Sequence, residues 1–309
     1  MSYSTLGIAL GLAGLGSVWA GAGELFGVSP AIAEVMFAAS AAWWLAVLMA
    51  RLPVTRQRLR DLRADVRHPT TGPFPAYVPV VGLLLTSHYA TYLAPELVQV
   101  LTLLWVAVLG AMSAQMLSFW LSGALQLSQI HPGYALPVIA GPYIAAIALN
   151  IAGYPALAIG AIGVGTFCWA TIGTLIIVRL VASAPLPSPM LPTLAVLVTP
   201  PITAGLAWFA VRDGEIDVVQ LLLSGITFLM VLTQVFMIPR YASASFSLAF
   251  WAFTFPAAAL AGYLLRWAAV VPGTTTTLVA GIAVALATLA VLTVAIMSVD
   301  SARRARRRR

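Results

Sequence analysis

The stretch ALPVIAGPYIAAIALNIAGYPALAIGAIGVGTFCWATIGTLIIVRL (135–180) holds two apolar runs joined by a short turn. Each run approaches the roughly 20 residues that an α-helix needs to cross a bilayer. The first carries Pro137 and Pro142 in its interior, and the second carries no interior proline. A proline inside a helix removes one backbone hydrogen bond and crowds the preceding turn. In lipid the freed carbonyl is tolerated only where the helix is buried in protein or faces a watered cavity. This hairpin therefore predicts one inner and one outer membrane helix.

The pattern repeats along the chain of 309 residues, which is 61% hydrophobic and 8% charged. Apolar runs predict ten spans, near 5–27, 31–51, 73–93, 96–122, 133–152, 156–181, 190–211, 217–238, 244–265 and 273–299. The first run follows MSYS, lacks a basic lead and reads as the first membrane helix rather than a secretory signal. Pro79, Pro137, Pro142, Pro200, Pro201 and Pro256 fall inside odd-numbered spans, and the first span has the permissive GIALGLAGLG (7–16) instead. No even-numbered span is expected to hold an interior proline. The fold class that follows is all-α and polytopic. Five helical hairpins would form one transmembrane domain over 1–309, with odd-numbered helices ringing a central pore whose inner faces are rich in Gly and Ala.

Charge supports the count. The net charge is +7, and all sixteen basic residues are arginine. With both termini cytoplasmic, fourteen arginines lie inside: Arg51, Arg56, Arg58, Arg60, Arg63, Arg67, Arg179, Arg240 and six in the tail 300–309. Only Arg212 and Arg266 lie outside, as the positive-inside rule asks. An odd number of spans would put the arginine-rich loop 52–72, with its expected surface helix near 56–66, on the opposite face from the tail. Basic clusters beside membrane helices set orientation and meet anionic lipid, so nucleic acid is not the expected partner.

The middle of the membrane holds no charged side chain, which counts against proton-coupled transport. His68, His88 and His131 lie in loops or near helix ends. Cys168 is a lone buried thiol and forms no intrachain disulfide. No nucleophile, metal-ligand set or acid–base pair clusters at one depth, so neither an enzyme nor a cofactor or metal site is expected. Gln99, Gln115, Asn150, Gln220, Gln234 and Thr254 are expected to bond between helices.

Five stretches, with compatible spacing, carry a resemblance. They are GIALGLAGLGSVW (7–19), LRADVRHPTTGPF (62–74), IHPGYALP (130–137), GEIDVVQLLLSG (214–225) and WAFTFPAA (251–258). Through them the chain resembles the tellurite-resistance/dicarboxylate transporter family, which includes bacterial TehA and the slow-type anion channels of plant guard cells. The resemblance implies an inner-membrane homotrimer passing small inorganic anions, with a pore in each protomer occluded by a phenylalanine of the ninth span. By register that residue is Phe255, with Pro256 as the hinge beside it. Phe253 sits about 200° away around the helix, so the two cannot both face inward. Pro256 is a departure from some bacterial members, which have glycine there. Gly11, Gly14, Pro79, Pro137, Pro142, Pro200 and Gly262 are the expected pore-lining or kink positions. Anion preference would come from the low dehydration cost of large, weakly hydrated anions. A proton-linked C4-dicarboxylate carrier and a tellurite or toxic-compound exporter are the alternatives, and each lacks its expected embedded charge.

Overall fold

A computed structural model describes residues 2–52, 55–68, 71–123 and 126–307. Parts of the loop 52–72, and tail residues 308–309, lie outside the described residues.

Nine helices among the described residues are long and apolar enough to cross a membrane. They are α1 (Tyr3–Phe26), α2 (Ala31–Arg51), α4 (Pro95–Leu121), α5 (Pro132–Ile151), α6 (Pro155–Ala182), α7 (Ser188–Val211), α8 (Val218–Ala242), α9 (Leu248–Val270) and α10 (Thr274–Ala305). The third expected span is α3 (Tyr77–His88), a 12-residue α-helix flanked by 3-10 turns at Phe74–Ala76 and Tyr89–Tyr92. With those turns the helical run is continuous from Phe74 to Tyr92, the shortest of the ten expected spans, and it falls outside the nine long apolar helices. The ninth span also sits later than 244–265. The serine-rich ASFS (244–247) does not join the helix, whereas Arg266 and Trp267 remain in its last turns.

The burial of these helices alternates. The buried share is 50–83% in α1, α5, α7 and α9, and 6–28% in α2, α4, α6, α8 and α10. Helix α3 is buried along almost its whole length. Neighbour relations explain this: α1 packs on α3, α3 on α5, α5 on α7, α7 on α9, and α9 back on α1. Each even-numbered helix lies against its preceding odd-numbered partner. The result is an all-α closed ring of five helices inside a shell of five, with large apolar side chains such as Phe228 and Phe236 of α8 turned outward.

The prolines do something other than break α-helices midway. Helix α3 follows a 3-10 turn, and Pro79 is the third residue of its α-helical stretch. Pro200 and Pro201 are second and third after the 3-10 lead Ser188–Val198 of α7. Pro256 is third after the 3-10 lead Leu248–Phe253 of α9. In α5, Pro137 is second in a π-helical turn, Leu136–Ala140, and Pro142 second in the α-helix that follows. Where the backbone changes from 3-10 or π to α bonding the ladder is already irregular, so a proline there sacrifices less than one in a helix interior. The ring helices are thus two-part, and the prolines start their second parts. One even helix departs from expectation: α8 runs on to Ala242 and so includes Pro239 near its end.

Polar side chains stitch the layers. Ser40 Oγ donates to Ala9 O at 2.7 Å, Asn150 Nδ2 to Ala210 O at 2.8 Å, Gln220 Nε2 to Tyr263 Oη at 2.7 Å, and Gln234 Nε2 to Leu194 O at 3.3 Å. Gln99 Nε2 reaches Ala152 O at 3.4 Å. Thr254 instead bonds back to Trp251 O within its own helix, and Gln115 is exposed. On the face that carries the termini, the surface helix Arg56–Arg67 is capped by Thr55, whose Oγ1 accepts from Arg58 N.

Candidate functional site

Helical periodicity brings one stripe of each ring helix to a common axis. Gly14, Ser17, Val18, Gly21, Glu24 and Leu25 of α1 recur every three or four residues, and so lie on one face. Phe255, Ala258, Ala259, Gly262, Leu265, Arg266 and Ala269 do the same on α9. Leu84, Ser87 and His88 of α3, Ile144, Ile147 and Ile151 of α5, and Thr203 and Leu206 of α7 complete the wall. They enclose a cavity of about 460 Å³ on the side of the ring away from the termini.

Phe255 and Gly14 are the lining residues nearest the termini, so they form the inner end of this cavity. Phe255 is buried and touches α1 where Gly14 leaves room. A methyl group at Gly14 would come within 3.0 Å of Phe255 Cδ2 and 3.2 Å of Ala258 Cβ. Phe253 points elsewhere: its ring packs edge-on against Tyr241 at 4.8 Å, with Phe250 at 5.7 Å.

Other expected positions divide. Gly262 lines the cavity and faces open space. Gly11 does not line it; it lets α1 approach α9, since a methyl there would collide with Thr254. Pro79, Pro137, Pro142, Pro200 and Pro256 are buried in the ring helices, and none of them lines this cavity.

The rim holds residues that sequence reasoning did not assign to the site. Glu24 and Arg266 are exposed at the mouth, with opposite charges. His88 Nε2 lies 2.8 Å from Glu34 Oε1, and Glu34 also accepts from Tyr89 Oη at 3.1 Å. The His88 ring stacks on Phe37 with centroids 3.7 Å apart. Phe37 belongs to an outer helix yet lines the cavity, because Gly16 leaves space for its ring. The glycine run of α1 was the available signal, but it does not name its partner.

Between rim and Phe255 the wall is almost wholly apolar. Among the described residues no group of His, Cys, Asp or Glu could hold a metal ion. The arrangement is a cavity with a charged rim and an aromatic floor.

Comparison with known proteins gives two findings. The sequence model of the family described as "SLAC1: Voltage-dependent anion channel" matches residues 1–299. The chain is also 26% identical over 259 residues to the tellurite resistance protein TehA homolog of Haemophilus influenzae, covering 82% of this chain and 77% of that protein.

Proposed function

Because the chain belongs to the SLAC1 family of voltage-dependent anion channels, we propose that it is a gated anion channel whose pore follows the axis of the five-helix ring and is closed by Phe255. The family consists of channels and transporters rather than enzymes, and a role in membrane anion transport or tellurite resistance follows from it. One observation carries the finer reading: five helices each turn a stripe of small or apolar residues onto one cavity, and a single phenyl ring forms its inner end.

A ring in a narrow apolar tube stops ions by filling space and by keeping water out. Opening needs only a rotamer change or a small shift of α9. The positive edge of the ring favours an anion slightly, and the low dehydration cost of large monovalent anions selects among them. Arg266 at the rim, and the arginines on the termini's face, raise local anion concentration most at low salt. That face is cytoplasmic in this reading, the chain sits in an inner membrane, and three copies assemble with a pore in each.

Planar-bilayer recording tests the gate. Phe255→Ala raises anion current severalfold or more, with reversal potentials that follow chloride and nitrate gradients. Phe253→Ala leaves the current at the wild-type level. The opposite pair of outcomes would remove Phe255 from the gate. Saturable malate uptake that collapses without a pH gradient would replace the channel with a proton-linked carrier.

A further inference from the structure

A second cavity, of about 480 Å³, lies between α6 and α8 on the face that carries the termini, behind the first turns of α5 and α7. Its walls are mostly apolar, with Trp169, Ile176, Leu197, Met230 and Met237 among them. Two arginines also line it, Arg179 from the last turn of α6 and Arg240 from that of α8. Arg179 was expected among the charges of that face, yet the residue is only 5% exposed. Its Nε and Nη1 are fully buried and have no hydrogen-bond partner. No carboxylate lines the cavity, and no described residue forms an ion pair with Arg179.

A guanidinium cannot shed its proton, and a buried charge without a counter-ion is strongly unfavourable. The site therefore calls for an anion. Its remaining wall calls for hydrocarbon. Helices α6 and α8 belong to the outer shell, and beside the cavity their apolar side chains face outward, with Val181 and Phe236 each 83% exposed. An inorganic anion would satisfy the arginines and leave the apolar wall uncovered.

We propose that this cavity binds an anionic phospholipid of the adjacent leaflet. The headgroup phosphate would be held by the fork of Arg179, with Arg240 at the rim and an acyl chain along the α6–α8 wall. The proposal rests on the membrane placement of the chain and is independent of the gate assigned to Phe255.

The test uses full-length protein in detergent, with melting followed as phosphatidylglycerol, phosphatidylcholine or sodium phosphate is added. Phosphatidylglycerol is expected to raise the wild-type Tm by about 3 °C or more, and the other two to leave it unchanged. Arg179→Gln should abolish the shift, Arg179→Lys should keep part of it, and Arg240→Gln should reduce it. Without lipid, Arg179→Gln should melt at or above the wild type, because the uncompensated charge is gone. Native mass spectrometry of the wild type in an equimolar lipid mixture gives a readout that needs no variant. Phosphatidylglycerol should be retained over phosphatidylcholine by roughly tenfold, because the choline ammonium adds a positive charge to a site already lined by Arg179 and Arg240, whereas the glycerol headgroup adds none. Equal retention of the two lipids, an equal shift in Arg179→Gln, or no wild-type shift would overturn the proposal. So would a shift from phosphate alone, which marks a free-anion site. A structure of the assembled protein with a second copy seated over Arg179 and Arg240 would also overturn it, since that copy would then cover the cavity.

Discussion

Gly14 and Phe255 face each other across the inner end of the axial cavity, so closely that a single added methyl would stand 3.0 Å from the ring. Real Cβ atoms seldom sit so near an aromatic carbon, and the ring would have to yield by a few tenths of an ångström. Gly14→Ala should therefore destabilise the protein by about 1 kcal/mol, at the mild end of overpacking. In a Phe255→Ala background the same change should be nearly neutral, and the difference is the coupling between the two positions. Thermal melts of the four proteins close this cycle. An equal cost in both backgrounds would mean that the ring does not press on Gly14.

Gly262 lies on the same stripe of α9, two turns beyond Phe255, with no atom near enough to obstruct a side chain. Gly262→Ala should raise stability by up to about 1 kcal/mol, since alanine is the better residue within a helix. Gly262→Leu would fill part of the passage. Measured in the Phe255→Ala channel, it should lower unitary conductance roughly twofold or more. Unchanged conductance would place the permeation path elsewhere.

Asp217 opens α8 on the side away from the termini, where its carboxylate accepts from Gln220 N and from Trp208 Nε1, each at 3.0 Å. The Gln220 backbone N–H, then the Trp208 bond and the nearby Arg212, hold its pKa below the usual aspartate value against a smaller desolvation effect. A group depressed in the folded state stabilises it fully above the unfolded pKa, and the contribution is lost as pH falls through the folded value. As pH falls from about 5 through the depressed folded value, the wild type should progressively lose its advantage over Asp217→Asn, which keeps a capping side chain without the charge. Melting temperatures of the pair across that range check the sign. A gap that widens on acidification would contradict it.

Alternation of proline-bearing and proline-free runs was legible in the sequence, because the cost of an exposed backbone carbonyl in lipid acts on each helix separately. The inner ring needed no knowledge of contacts. The position of each proline within its helix was not legible. Whether Pro256 breaks a ladder or begins one depends on where the chain changes from 3-10 to α, which here falls between Phe253 and Thr254. The burial of Arg179 was not legible for a related reason. Its sequence position puts it at a helix end, where the structure also finds it, but nothing local in the sequence shows that it is buried there. Phe37 escaped notice because its outer helix reaches the axis only through the gap at Gly16.

Pro256 is third in its α-helical stretch, where the change from 3-10 to α bonding already makes the ladder irregular, so a missing N–H costs less than in the helix interior. Replacing it with alanine should therefore change stability by less than about 1 kcal/mol. A proline introduced at Ala261, well inside the same helix and fully buried, should cost about 3 kcal/mol or more. The functional effect should run the other way. Proline fixes φ at the residue that follows Phe255, and its ring bars that residue's neighbour from many backbone conformations. Without it, the change from 3-10 to α helix can slide by a residue and turn the phenyl ring off the axis. Pro256→Ala should then show raised basal current at nearly wild-type stability, with further substitution of Phe255 by alanine adding little. A variant that is strongly destabilised, or one as silent as the wild type, would show that the proline neither sits at a junction nor aims the ring.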